Sequence, residues 1–349
     1  MSSKKILVIR FSSLGDVVLS TALLPNLKKK WPDSQVSFLT KSTYASVFDR
    51  NPFVDHVYIF DASRQTFSQL TKEIRLENFD MVIDLHNNVR SWFICFMARA
   101  AETIKVEKLD WARRKLVWFK RKSKVLDKSF RERVLDCLVP LGATVESPES
   151  QLFPSLDRQL EETFSLSSHK NLIGLAPGAK HATKRWTIDG FVEVANRLGA
   201  IPDSKILLLG DKSDEEISRE ISKRIRVPCE SLTGWTSLSE LIAIISKLRL
   251  LITNDSGLMH IGEALNIPLV ALFGPTVRAF GFAPYRRTSR VVEVTNLPCR
   301  PCSLHGEERC PLKHHRCMKD LDANAVLLAS SMLLEKGETR ENSLEDCPI

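Results

Sequence analysis

A chain of 349 residues with 43% hydrophobic and 26% charged side chains has an ordinary soluble composition and enough material for two domains with sizeable cores. No apolar run approaches the ~20 residues that cross a bilayer as a helix; the longest contender, 92–98, falls far short. The net charge of +8 is gathered in one place: twelve Lys and Arg stand against four acids from Lys105 to Arg133, and the remainder is formally neutral.

The amino terminus has lysines before an apolar run, but Arg10 interrupts that run and no small-residue cleavage site follows. It reads as a first β-strand over 5–10, and the protein is expected to be cytoplasmic. A turn over 12–16 leads into a helix over 17–30. Strands at 36–40, 56–60 and 81–85 follow, with helices at 42–49 and 68–77. Continuous apolar strands alternating with helices predict a parallel sheet covered on both faces. Residues 148–170 carry Pro, Ser and charge without an apolar period, and the domain boundary is placed there. The second half repeats the alternation: strands at 171–176, 205–209, 250–253, 268–273 and 291–294, and helices at 188–198, 214–226, 237–248 and 258–266. A last helix is expected over about 322–335. The expected fold class is α/β, with two consecutive parallel-sheet halves and ligands outside the carboxyl ends of the strands.

The chain contains no G-x-G, so the dinucleotide fingerprint is missing, and the stretch from Gly257 to Gly262 is followed by Glu263 and not Lys, so there is no P-loop. Four other stretches carry chemistry, each with a plain structural alternative. Ser12, Ser13 and Asp16 open a helix after a buried strand, where a carboxylate serves either as cap or as base. Gly178 follows the first strand of the second half, with Lys180, Lys184 and Arg185 close in sequence; this suits a diphosphate or is a common turn with solvated lysines. Asp255, Ser256 and Gly257 begin a helix, with His260 one turn on, and either cap it or meet ribose and phosphate oxygens beside its amino terminus. The basic segment, interleaved with Trp111, Trp118 and Phe119, is a solvated helix face or a surface for nucleic acid or an anionic membrane. The binding-protein reading, without catalysis, rests on that segment.

Taken together, KILVIRFSSLGDVVLSTALLPNLKKKWP, FDMVIDLHNNVRS, LAPGAKHATKRWTIDGFVEVANRL and ITNDSGLMHIGEALNIPLVALFGPT, in this order and with the cysteine-rich stretch from Cys299, resemble the ADP-heptose:lipopolysaccharide heptosyltransferases of glycosyltransferase family 9. The likeness runs over nearly the whole chain and is greatest to the branch that adds the second heptose. It implies a GT-B architecture of two facing Rossmann-like domains with an interdomain cleft. The acceptor-binding domain spans 1–160, the nucleotide-sugar domain 161–325, and a helix and tail 326–349. It implies an inverting transfer of heptose from ADP-L-glycero-D-manno-heptose to the inner core (Kdo/heptose–lipid A) of lipopolysaccharide. The alternative within the family is another sugar donor or acceptor.

By the same resemblance, Asp16 is the expected general base. Lys184 pairs with the donor diphosphate, while Gly178, Trp235, Thr236, Asp255, Ser256, Gly257 and His260 bind the donor. Ser12, Ser13, Asn87 and Arg90 face the acceptor. Arg113, Arg114, Lys120 and Arg121 are assigned to it as the part of the basic segment that draws in an anionic glycolipid. No cofactor is required, although a divalent cation can accompany the diphosphate; the only Asp-x-Asp pair, Asp320 and Asp322, reads as a helix cap. The partners are the donor, the acceptor and the cytoplasmic face of the inner membrane, to which the chain is peripheral, with no nucleic acid and a monomeric state. Of the cysteines, Cys95, Cys137 and Cys229 read as reduced and buried. Cys299, Cys302, Cys310 and Cys317 pack an irregular loop or, by their spacing, hold a structural zinc.

Overall fold

The computed structural model describes residues 3–61, 66–155, 158–164 and 166–345, with side chains as far as Glu335. The chain packs as two units. One comprises the residues up to Asp110 together with Val125–Pro154; the other comprises Trp111–Lys124 and the residues from Ser155 onward.

The first unit is built on a five-stranded sheet. Its strands are β1 (Lys5–Ile9), β2 (Gln35–Lys41), β3 (His56–Phe60), β4 (Met81–Asp84) and β5 (Glu102–Lys105), in the order β3-β2-β1-β4-β5. All pairings are parallel, with Ile6 opposite both Val36 and Met81. Its helices are α1 (Leu14–Ser20), α2 (Leu23–Lys30), α3 (Phe67–Leu76), α4 (Val89–Ala98) and α6 (Phe130–Asp136), while α5 (Asp110–Phe119) belongs, from Trp111 on, to the second unit. Leu7, Ile9, Leu39 and Val82 are fully enclosed and meet Leu70, Ile74 and Ile94 from α3 and α4. Two-sided burial explains why these strands are apolar without alternation.

The second unit has six strands: β6 (Asn171–Ala176), β7 (Ser204–Leu208), β8 (Cys229–Ser231), β9 (Leu250–Asn254), β10 (Leu269–Phe273) and β11 (Ser289–Glu293). They run parallel in the order β11-β10-β9-β6-β7-β8. Its helices are α7 (Arg158–Thr163), α8 (Ile188–Leu198), α9 (Glu215–Ser222), α10 (Leu238–Ile245), α11 (Gly257–Ala264), α12 (Arg316–Lys319) and α13 (Ala323–Glu345). The core gathers Ile173, Leu175, Ile252 and Leu272 from the sheet with Phe191 of α8 and Val326 of α13.

In each sheet the strand order reverses once, between β1 and β4 and between β9 and β6. Ligands of open parallel sheets bind beyond the carboxyl ends of strands at such a reversal. The loops that leave β1, β4, β6 and β9 are those carrying Asp16, Asn87, Lys184 and Asp255.

Several local expectations need correction. The helix expected over 17–30 is two helices, because Pro25 lacks the N–H that would continue the ladder and Thr21 Oγ1 bonds back to Val18 O at 2.7 Å. Residues 42–49 wind as a tighter 3₁₀ helix, Ser42–Phe48. The edge strands β5 and β8 are short, only partly covered and lack a strong apolar run, so periodicity does not reveal them. Residues 111–124, expected in the amino-terminal domain, pack with the second unit.

Candidate functional site

In the first unit, β1 ends in Arg10 and the chain turns through Ser12 and Ser13 into α1, with Asp16 in its first turn. The Asp16 side chain is only 14% exposed, and its Oδ2 receives three donors: Arg10 Nη2 at 2.9 Å, Ser13 N at 2.9 Å and Ser13 Oγ at 2.6 Å. Oδ1 accepts none of the hydrogen bonds found among the described residues. Burial pulls the Asp16 carboxyl upward, but the Arg10 guanidinium and the Ser13 donors outweigh it and hold the group below the usual carboxylate range. Asp16 is therefore an anion at neutral pH, clamped by one oxygen. Arg10 is itself fixed by a bond to Leu85 O and by its position over the Phe130 ring, 4.9 Å from the centroid. His86 stacks edgewise on Phe11 at 4.8 Å; burial, then Arg10 and Lys108, push its pKa down to about 4.

The loop after β4 is organised by Asp84, which is fully buried. Its Oδ1 accepts from His86 N and Asn87 N at 2.9 and 2.7 Å, and its Oδ2 accepts from Ser91 Oγ at 2.7 Å. Asn88 caps α4 through Ser91 N. Asn87 sits at a φ of 49° and its Nδ2 donates to Val106 O at 3.0 Å. Asn87 is half-buried in the turn, whereas Arg90 is exposed.

In the second unit, Lys184 and Asp255 come from the loops after β6 and β9 and meet directly. Lys184 Nζ stands 2.7 Å from Asp255 Oδ2, with side chains 15% and 9% exposed, and 3.2 Å from Asp255 O. Thr276 Oγ1 donates to the same Oδ2 at 2.6 Å. Burial again acts to raise the Asp255 carboxyl, but Lys184 first and then Thr276 hold it below its ordinary value. The capping alternative is thereby settled against Asp255. Ser256 occupies the cap position of α11 but makes no capping bond, its hydroxyl lying 3.2 Å from Thr253 Oγ1. The Ser256 hydroxyl therefore leaves the first N–H groups of α11 uncapped, which is the condition for an anion to bind there. His260 is buried one turn along, 6.5 Å from the Phe282 ring.

Asn254, at the end of β9, donates Nδ2 to Pro177 O at 2.8 Å and Gly178 O at 3.3 Å and accepts from Trp186 N at 3.1 Å. It ties the Gly178 and Lys184 loop to the Asp255 turn. A Cβ at Gly178 would lie 2.1 Å from the Asp214 carboxyl carbon, so any larger residue there must displace that carboxylate. Trp235 is 80% exposed, and Thr236 Oγ1 is buried without a hydrogen-bond partner among the described residues.

The cysteine-rich loop braces this assembly from behind. Arg300 donates to Gly274 O, Val294 O and Thr276 O and pairs with Glu293 at 2.7 Å, which fixes the turn that presents Thr276. Thr183 exchanges bonds with the Glu307 backbone at 2.7 and 2.8 Å, and its carbonyl lies 2.8 Å from His315 Nε2. Cys299, Cys302, Cys310 and Cys317 are free thiols. Burial first, and then the neighbouring cysteines, raise Cys302 and Cys317, the latter to about 11. Among the described residues no group of three or more His, Cys, Asp or Glu is placed to hold a metal ion. Arg300 and backbone bonds order the loop around these thiols. Asp322 Oδ1 accepts from Asn324 N at 3.0 Å at the start of α13, and Asp320 pairs with Arg316, so that pair is a cap and an ion pair.

The basic segment does not behave as one surface. Arg113 is buried with its guanidinium 5.1 Å from the Phe282 ring centroid, and Lys120 Nζ bonds the carbonyls of Cys299 and Pro301. Arg131 and Arg133 are buried and donate to Pro148 O and Glu107 O. Arg114 and Arg121 remain exposed. Sequence reasoning did not single out Arg10, Asp84, Asp214, Thr276 or Arg300 as functional. Arg10 and Asp84 had a signal, each being a lone charge in an apolar run; the other three are recognisable only by their contacts.

The family model for glycosyltransferase family 9 (heptosyltransferase) matches residues 67–314. The chain is 28% identical over 313 residues to lipopolysaccharide heptosyltransferase 2 of Salmonella typhimurium, covering 83% of this chain and 88% of that protein. It is 26% identical to lipooligosaccharide heptosyltransferase 2 of Campylobacter jejuni, over 92% and 96% of the two chains. Among solved structures, a family 9 glycosyltransferase from Veillonella parvula superimposes with a TM-score of 0.80 at 25% identity, covering 96% and 98%. The E. coli ADP-heptose lps heptosyltransferase II gives 0.76 at 25% identity, covering 96% and 99%. The expected fold class, GT-B with two Rossmann-like parallel-sheet domains, is the observed one. The chain is a glycosyltransferase and belongs to family 9, the heptosyltransferases.

Proposed function

We infer that the chain transfers heptose from ADP-L-glycero-D-manno-heptose to the inner core of lipopolysaccharide, with inversion at the anomeric carbon. It does so at the cytoplasmic face of the inner membrane, where that acceptor is assembled. The family and the activity named for its heptosyltransferase relatives support the class of reaction. The observation that carries the mechanism is the clamped Asp16 carboxylate, with three donors on Oδ2 and Oδ1 left over. The acceptor hydroxyl oxygen attacks the anomeric carbon and its proton passes to Oδ1. The bond between that carbon and the diphosphate oxygen breaks, and the electron pair leaves with ADP. A carboxylate held below its usual pKa is a weak base, so the proton moves as the new C–O bond forms and the hydroxyl becomes acidic.

Lys184 and the open amino end of α11 take the growing charge on the leaving diphosphate. Gly178, Ser256, Gly257 and His260 surround that group, and Trp235 with Thr236 meets the adenine. A divalent ion accompanying the diphosphate would share the same neutralising role. Ser12, Ser13 and Arg90 meet the acceptor, with Asn87 in the turn beside Arg90, whereas Arg113 and Lys120 support the fold of the second unit.

The test is Asp16→Asn. Turnover should fall by about 10²–10⁴, while ADP still raises the melting temperature as in the wild type. Undiminished turnover removes Asp16 as base. A melting shift with UDP- or GDP-sugars and none with ADP or ADP-heptose overturns the donor.

A further inference from the structure

Helix α4 is apolar on two sides. Ser91, Ile94, Cys95 and Ala98 face the first unit's core, yet Val89, Trp92, Phe93 and Phe96 are 82%, 54%, 38% and 66% exposed. At 3.6 residues per turn these four occupy an arc of roughly 100° along the helix, and the Trp92 and Phe96 rings stack at 6.0 Å. Such a continuous stripe of large side chains is unusual on a soluble surface and marks an interaction site. The charges on the helix itself are cationic: Arg90 and Arg99 are exposed at either end, and no acid occurs in sequence between Asp84 and Glu102. Trp and Phe on one face, with arginines flanking them, is the pattern of a helix lying in the headgroup region of a bilayer. The helix starts at Asn88, in the loop ordered by Asp84 beyond the carboxyl end of β4.

We propose that the α4 stripe docks the first unit onto an anionic lipid surface, with Trp92 and Phe96 inserted among the headgroups and Arg90 and Arg99 on lipid phosphates. This deepens the reading of a lipid-anchored acceptor and rests on it only for the purpose of the docking. A membrane-seated α4 would hold the β4 loop beside the headgroup layer, where the sugar of such an acceptor begins. The surface differs from the basic segment, of which Arg113, Lys120, Arg131 and Arg133 are already engaged in the fold.

The experiment compares the full chain with the double variant Trp92→Ala, Phe96→Ala in sedimentation with vesicles. The vesicles are equimolar phosphatidylglycerol and phosphatidylethanolamine, with pure phosphatidylcholine as the uncharged control. The wild type should bind the anionic vesicles with a blue shift in tryptophan emission, and the variant should bind about tenfold less or weaker still. Both should show the same melting shift with ADP, which certifies the variant's fold. Equal vesicle binding by the two proteins overturns the proposal and returns the role to Arg114 and Arg121. A wild-type dimer that the variant converts to monomer overturns it differently, showing that a second copy covers the stripe. Absence of any ADP response alongside intact vesicle binding removes the ADP-heptose donor reading and leaves the docking surface standing.

Discussion

Lys184→Met tests the core of the donor half most directly. The Lys184–Asp255 pair has a 2.7 Å separation and side chains 15% and 9% exposed, so it is screened little by solvent. Removing the cation leaves an enclosed carboxylate with the Thr276 hydroxyl on it and the weaker influence of His260 beside it. Breaking a buried pair in this way costs about 3–5 kcal/mol. A unit of this size loses about 2–4 °C per kcal/mol, so the melting temperature should drop by about 6–20 °C at neutral pH. The pH dependence follows from the direction of the Asp255 shift. In the wild type its folded pKa lies below the ordinary 3.8. Its stabilisation is thus complete above that value and is lost as pH falls through the lower folded value. In the variant the Lys184 attraction is gone and burial dominates, so the folded pKa moves up and acid relieves the penalty by protonating Asp255. Calorimetry across pH should therefore show the gap between the two proteins narrowing as pH falls. A neutral-pH difference within about 2 °C, or a gap that does not change on acidification, would refute the buried-pair argument.

Two further substitutions probe the frame around that pair. Gly178→Ala places a Cβ 2.1 Å from the Asp214 carboxyl carbon; overpacking of this kind costs about 1–3 kcal/mol, measurable by urea titration, and an unchanged midpoint would mean that Asp214 swings aside freely. Arg300→Met removes the donor that fixes Gly274 O, Thr276 O and Val294 O, and leaves Glu293 with its second cation, Arg278, at 2.8 Å. The unsatisfied carbonyls should lower stability by about 1–3 kcal/mol, and displacement of Thr276 should weaken ADP binding, as calorimetric titration would show. Full affinity for ADP in a folded Arg300→Met protein would show that Thr276 keeps its place without the guanidinium.

Much of the fold was legible because buried parallel strands must be continuously apolar. Residues 81–84, 171–176 and 269–273 announce themselves that way, and the strand–turn–helix–strand run from Leu250 to Phe273 folds as read. The helix broken at Thr21 was not seen, because Pro25 lies inside an otherwise helical period. The edge strands β5 and β8 escaped because a strand of three or four residues with one open face carries no pattern strong enough to register. Charge misled in a different way. Lys105 to Arg133 looks like a basic surface when only sequence separation is visible, but Arg113 sits on Phe282 and Lys120 bonds the 299–301 turn, partners more than 160 residues distant in sequence.

The sequence by itself determined the alternation of strands and helices, the family, and the short stretches around Asp16, Lys184 and Asp255, since those depend on neighbours a few residues apart. Only the tertiary structure decided what those side chains do. It put three donors on one oxygen of Asp16 and left the other open. It also turned Asp255 from a candidate helix cap into the partner of Lys184 and Thr276. Strand order and long-range pairing, absent from any local pattern, bring together loops separated by 70 residues or more, and the electrostatics of a buried group depend on which charges arrive beside it.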